Sequence, residues 1–227
     1  MKIAVTRLEE KAEGTYELFT KYGHEAVLVP TMKVAPVDDA SSLNGLCSRV
    51  DLGEVEFLLF SSTMGVKCFF ARCTIPDGIT IIAVGPKTSE AIQEKGYDSE
   101  TISSFSSDNF ASHLSGRING KTVGIVRPDV PNPGLVASLT SLGARVVEGI
   151  TYRLVPSGKN FKIALQDVDA VIFTSGKSFN LAEVDARDLH DKIVIAIGPK
   201  TADVMRKKKI NPDIVGKGTL EDCLSLI

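Results

Sequence analysis

The chain has 227 residues, of which 43% are apolar and 24% charged, with a formal net charge of −2. This composition can bury a core and argues against a disordered chain, while the lack of a basic excess argues against a general nucleic-acid binder. Four cysteines without CxxC spacing and three scattered histidines suggest reduced, buried thiols and no metal site.

The first predicted element is a strand at 3–5, too brief for the apolar core of a signal segment. No apolar run approaches the roughly 18–20 residues that span a bilayer, so a cytoplasmic protein with no membrane partner is expected. Residues 9–22 read as one helix stopped by Gly23, followed by a strand at 26–29 and a Pro36-containing stretch. A short helix at 42–49 follows. Phe57–Phe60 is a wholly apolar run of the kind covered on both faces in a parallel sheet. Ser61, Ser62 and Thr63 offer cap chemistry for a helix through Phe70. A strand at 79–84 leads into Gly85-Pro86-Lys87-Thr88 and a helix ended by Gly96. Next come a weak strand at 99–102, a helix near 108–116, a strand at 122–126, a helix at 134–142 and a long strand at 145–153. Further strands at 168–173, 193–197 and 214–215, with helices between, complete an alternating pattern that favours parallel, doubly wound α/β sheets.

An internal repeat organises the pattern. Leu59-Phe60-Ser61-Ser62 matches Ile172-Phe173-Thr174-Ser175, and Ile82 to Thr88 matches Ile195 to Thr201. From 61 to 174 and from 85 to 198 the offset is 113. Val5-Thr6-Arg7 matches Ile125-Val126-Arg127, Gly23 matches Gly143 and Pro36 matches Pro156, all at an offset of 120. The chain is therefore two copies of one unit, with a length change of seven residues inside a copy. The extended stretches near 31–37 and 152–158 are expected to be linker strands. They would divide the chain into a discontinuous domain 1 (1–34 and 155–227) and a domain 2 (35–154).

The repeated motifs sit where strands turn into helices. Gly85-Pro86-Lys87-Thr88 and Gly198-Pro199-Lys200-Thr201 combine free backbone N–H groups, a hydroxyl and a cation, which suits anions. Ser61-Ser62 and Thr174-Ser175 offer hydroxyls at a second strand end, and Arg7 and Arg127 follow strands in the same way. In open α/β sheets the carboxyl ends of strands face the ligand. Taken singly, each motif is also ordinary helix capping. No GxGxxG, Walker A or GxSxG motif occurs, and no Ser/His/Asp pattern stands out. An enzyme without such machinery would act mainly by positioning a reactive substrate.

The order and spacing of these motifs, with Thr151-Tyr152-Arg153 and Phe173-Thr174-Ser175-Gly176, resemble the uroporphyrinogen-III synthase (HemD) family over about residues 1–215. The resemblance implies two HemD-like, flavodoxin-like parallel-sheet domains joined by a two-stranded linker, with the active site in the cleft. It implies a cofactor-independent hydro-lyase acting on hydroxymethylbilane, a linear tetrapyrrole with eight carboxylates. Water is lost, ring D is inverted through a spiro intermediate, and uroporphyrinogen III is formed. Tyr152 matches the family's favoured catalytic side chain, helping the hydroxyl leave as water. Thr88, Thr201, Ser62, Ser175 and Gly176 match positions expected to bind substrate, and charge logic adds Arg7, Arg127, Lys87 and Lys200. After Arg127 the family often carries Gly, whereas this chain has Pro128-Asp129, which stiffens the loop and adds a negative charge.

Two other readings compete. One is a non-enzymatic tetrapyrrole- or polyanion-binding relative, which would bind without turnover. The other is a two-lobed solute binder of the periplasmic type, against which the lack of a signal segment counts. The expected partner is the small-molecule substrate alone, with a monomeric protein and no nucleic acid.

Overall fold

The computed structural model describes residues 1–102 and 106–227. Among these residues the chain divides into unit 1, Met1–Lys33 with Val155–Ile227, and unit 2, Val34–Leu154.

In chain order, β1 (Lys2–Val5), α1 (Thr15–Lys21) and β2 (Glu25–Leu28) lead to β3 (Met32–Ala35). Then come α2 (Ser41–Asp51), β4 (Phe57–Phe60), α3 (Thr63–Phe70), β5 (Thr80–Ala83), α4 (Pro86–Gln93) and β6 (Glu100–Thr101). The second half runs through α5 (Phe110–His113), β7 (Thr122–Arg127), α6 (Pro133–Ser141), β8 (Arg145–Ile150) and β9 (Arg153–Pro156). It closes with α7 (Phe161–Ala164), β10 (Ala170–Phe173), α8 (Gly176–Ala182), β11 (Ile193–Ala196), α9 (Pro199–Lys207), β12 (Ile214–Val215) and α10 (Leu220–Leu224).

Two expectations are corrected. The helix over 9–22 is interrupted: Glu9–Lys11 is a 3₁₀ turn, and α1 begins only after Gly14, whose φ of 70° places it in the left-handed region. The long strand over 145–153 is divided into β8 and β9, with Thr151 and Tyr152 between them.

Unit 1 holds a parallel sheet in the order β12-β11-β10-β1-β2, and unit 2 holds one in the order β6-β5-β4-β7-β8. The registers show what the repeat became. Val5 pairs with Ile172 in unit 1, and their counterparts Ile125 and Leu59 pair in unit 2. Lys2 pairs with Glu25, and the counterparts Thr122 and Arg145 pair likewise. Each unit is thus assembled from the first half of one copy and the second half of the other. The exchange occurs at β3 and β9, which form their own two-stranded sheet.

The seven-residue difference between the copies lies in the helix after each exchange strand, which has 11 residues in α2 and 4 in α7. The longer α2 lies close on unit 2's sheet. A Cβ on Gly149 would fall 2.7 Å from Leu46 Cδ2, and one on Gly124 would fall 2.8 Å from Leu46 Cδ1. The corresponding positions in unit 1 are Val29 and Ala4, which pack with Phe161 and Leu165 beside the shorter α7. Side-chain volume on the strand thus compensates for lost helix, as close packing requires.

Candidate functional site

In unit 2, the strand ends of β4 and β7 and the segment leaving β8 bring Ser62, Arg127 and Tyr152 into one region. Ser62 is extended (φ −169°, ψ 154°) and caps α3, its Oγ accepting the Gly65 N–H at 3.0 Å. Ser/Thr caps satisfy an otherwise orphaned N–H at a helix start. The same Oγ lies 3.2 Å from the Tyr152 hydroxyl, and both residues are buried. Ser61 supports this arrangement by donating its hydroxyl to the Val126 carbonyl at 3.0 Å.

Tyr152 is held through its backbone as well. Asp129 N–H donates to the Tyr152 carbonyl at 2.7 Å, and Thr151 donates both its N–H and its hydroxyl to the Arg127 carbonyl at 3.0 Å. The Pro128-Asp129 pair is therefore a brace for the tyrosine segment. Arg127 is buried. Its Nε donates to Glu148 Oε1 at 2.5 Å and its Nη1 to the Pro128 carbonyl at 2.8 Å. Its charge is met within the unit, so the geometry makes it a fastener of the 127–129 turn. On the α6 side of Arg127 and Glu148 lies a cavity of about 650 Å³, lined by Pro133, Val136 and Thr140; neither Ser62 nor Tyr152 lines it.

Gly85 and Gly198 precede α4 and α9 in extended conformation, with Pro86 and Pro199 in the first helical turn. Lys87 and Lys200 are exposed, whereas Thr88 and Thr201 are buried. In these motifs the cation faces outward and the threonine braces the turn through its N–H, bonded to Gly85 O at 3.0 Å and to Gly198 O at 3.1 Å.

In unit 1, Ser175 caps α8 reciprocally with Ser178: each hydroxyl accepts the other's backbone N–H at 3.0 Å. Thr6 Oγ1 donates to Ser178 Oγ at 2.9 Å, Thr174 Oγ1 donates to the Thr6 carbonyl at 2.9 Å, and Thr31 Oγ1 donates to the Ser178 carbonyl at 3.0 Å. Sequence reasoning did not single out Thr6, Thr31 or Ser178, nor Gly65 in unit 2. Aligning the copies position by position would have placed Gly65 over Ser178 and Tyr152 over Met32. Gly176 allows close packing of α8 on α9, since a Cβ there would fall 2.7 Å from Val204 Cγ2. Arg7 is half-buried and donates its Nε to the Lys11 carbonyl; burial lowers its pKa from the ordinary value.

The cysteines depart from expectation. Cys47 and Cys73 form a disulfide with a Cα–Cα distance of 5.7 Å, because α2 and the segment following α3 pack together in the core. Cys223 is free and buried, and desolvation pushes its thiol up to about 11, which leaves it without thiolate character at neutral pH. Among the described residues no helix is long and apolar enough to cross a membrane.

Comparison with known proteins gives concordant findings. Residues 14–215 match the family model described as uroporphyrinogen-III synthase HemD. The uroporphyrinogen-III synthase of Chlorobaculum parvum is 24% identical, over 94% of this chain and 92% of its own length. The solved uroporphyrinogen-III synthetase of Helicobacter pylori superposes with a TM-score of 0.68 at 17% identity, covering 99% of this chain and 97% of that one. A mutant uroporphyrinogen III synthase of Thermus thermophilus gives 0.65 at 19% identity, covering 100% of this chain and 96% of that one. These likenesses share the fold.

Proposed function

Because the chain belongs to the uroporphyrinogen-III synthase family, we propose that it closes hydroxymethylbilane to uroporphyrinogen III, with Tyr152 as the group that assists departure of the hydroxyl. The observation that carries this reading is the buried Tyr152 hydroxyl, held 3.2 Å from Ser62 on a braced segment. A phenol positioned at a leaving hydroxyl supplies its proton as the C–O bond breaks, leaving water, the phenolate and an electrophilic azafulvenium cation. A general acid of this kind contributes about 10²- to 10⁴-fold.

The substrate closes head to tail to the wrong isomer if it is not bent, so selection of the product is a matter of pose. Ser175, Gly176, Thr201, Thr88, Ser62, Lys87 and Lys200 are the proposed carboxylate-holding groups, with Arg7 at the end of β1 as a further cation. The strand-to-helix turns support this role, since neither helix start carries a side-chain cap and an exposed lysine stands at each. Arg127 is proposed to act indirectly, by fixing the segment that carries Tyr152.

The test is to supply purified protein with hydroxymethylbilane and separate the product isomers. We expect the type III isomer; accumulation of type I alone would sink the proposal.

A further inference from the structure

We infer that Ser62 is a positioning residue for Tyr152, and that Gly65 is the residue that leaves Ser62 available for that task. The inference rests on the reading that Tyr152 assists departure of the hydroxyl, and it assigns Ser62 a role beyond holding a carboxylate.

The internal repeat provides the comparison. In unit 1, Ser175 occupies Ser62's place, Ser178 occupies that of Gly65 and Met32 that of Tyr152. There the two serines cap each other, and Thr6 donates to Ser178 as well. In unit 2 a glycine stands where the second serine would be, and the box stays open. A Cβ on Gly65 would fall 3.2 Å from Ser62 Oγ and 3.4 Å from Val126 Cγ1, tighter than ordinary contact. The bare glycine thus leaves Ser62 Oγ bonded to the Gly65 N–H on one side and near the Tyr152 hydroxyl on the other.

The arrangement allows Ser62 to donate to the phenol. Ser62 Oγ accepts from the Gly65 N–H and keeps its own proton, which in this inference it donates to the Tyr152 oxygen. Accepting a bond from an N–H at a helix start polarises the serine hydroxyl and makes it a better donor. A phenol whose oxygen accepts a hydrogen bond keeps its own proton for another acceptor and releases it more readily, because the bond stabilises the phenolate. The carbon–oxygen bond of the substrate then breaks with both electrons passing to oxygen, and the phenol proton completes the water. The proton set free on ring closure returns to the phenolate.

The experiment compares Ser62→Gly, Gly65→Ser and Ser62→Thr, each with and without Tyr152→Phe. Gly retains most of a cap's stability and removes the hydroxyl, so Ser62→Gly separates positioning from folding. Gly65→Ser installs the unit 1 arrangement. We expect both to lower kcat roughly 3- to 10-fold, the scale of one hydrogen bond, whatever change in KM accompanies it. Ser62→Thr, which keeps the hydroxyl, loses less kcat than Ser62→Gly, and in the Tyr152→Phe background the kcat effects of Ser62→Gly and Gly65→Ser vanish. An effect confined to KM, an effect that persists without the phenol, or an unchanged kcat would each overturn the inference.

A readout independent of turnover separates its failure from that of the family reading. With fluorotyrosine incorporated, the fluorine resonance lost in Tyr152→Phe should move in Ser62→Gly and in Gly65→Ser, but not in the unit 1 swap Ser178→Gly. A resonance that stays still removes the Ser62 role even if the type III isomer is made. A type I product with a moving resonance removes the enzyme reading instead.

Discussion

Units 1 and 2 share one strand order and largely one register, yet they diverge at two places: the helix after the exchange strand and the polar cluster at the strand ends. Unit 1 fills its strand face with Ala4 and Val29 and closes its serine pair into a self-satisfied box. Unit 2 clears its strand with Gly124 and Gly149 to seat α2, and leaves Ser62 open toward Tyr152. One ancestral unit therefore supports two outcomes. A fully satisfied polar cluster rigidifies, whereas one that retains donor capacity can serve chemistry. The two units differ at that cluster by two residues: unit 2 has Gly65 where unit 1 has Ser178, and Tyr152 where unit 1 has Met32.

The comparison can be broken most decisively at the phenol. Tyr152→Phe should lower kcat at least about 100-fold with little change in KM, while Met32→Leu, at the equivalent place in unit 1, should leave both unchanged. Steady-state kinetics with isomer separation decides it, and an unchanged rate in Tyr152→Phe would return the tyrosine to a packing role.

The disulfide sharpens the contrast in stability. Cys47 and Cys73 lie 26 positions apart, and closing a loop of that size stabilises by about 3–4 kcal/mol in the chain-entropy account. Reduction, or Cys73→Ala, should lower the denaturation midpoint of unit 2 ahead of unit 1. A single transition unmoved by reductant would contradict this.

A third change transfers a unit 1 residue into unit 2. Gly149→Val drives new atoms into Leu46 and should destabilise by about 1–3 kcal/mol as overpacking. The milder Gly124→Ala should cost less, and equilibrium urea unfolding ranks the two.

The smallest effect is acid sensitivity at the edge of unit 2. The Arg117 guanidinium, bonded to both Glu100 oxygens at 2.8 and 2.7 Å, lowers the Glu100 carboxyl to about 2, and His113 assists at 2.8 Å. A depressed carboxyl stabilises the fold above its ordinary value of 4.5, and that stabilisation disappears as pH falls from 4.5 toward 2. Because the pair is well exposed, solvent screening holds the contribution to about 1 kcal/mol or less. Glu100→Gln should therefore flatten the stability curve only slightly in that window, as measured by unfolding at successive pH values.

Much of this was legible in the sequence. Apolar runs such as Phe57–Phe60 announced buried parallel strands, and the constant offsets announced duplication, because strand and turn chemistry is local. The helix expected over 9–22 failed at Gly14, whose left-handed conformation follows from the chain path and not from the apolar period. The disulfide left no signal, since Cys47 in α2 and Cys73 in the segment after α3 meet only through tertiary packing. Ser62 and Tyr152 were each identified separately, but their approach over 90 positions is a tertiary fact. The charge of Arg127 is visible in the sequence and suggests substrate binding, whereas its partner Glu148 becomes a neighbour only through the pairing of β7 with β8.

The exchanged halves also govern how the chain is made. Unit 2 is continuous, so every strand of its sheet has left the ribosome once β8 emerges. Unit 1 cannot be completed so early: Ile3 must wait for Ala170. At about 5–20 residues per second, β1 and β2 stay unpaired with their sheet for on the order of ten seconds or more during synthesis. The unit that carries Tyr152 is thus the one whose strands are all available first, while the amino-terminal strands wait for β10 before their sheet can form.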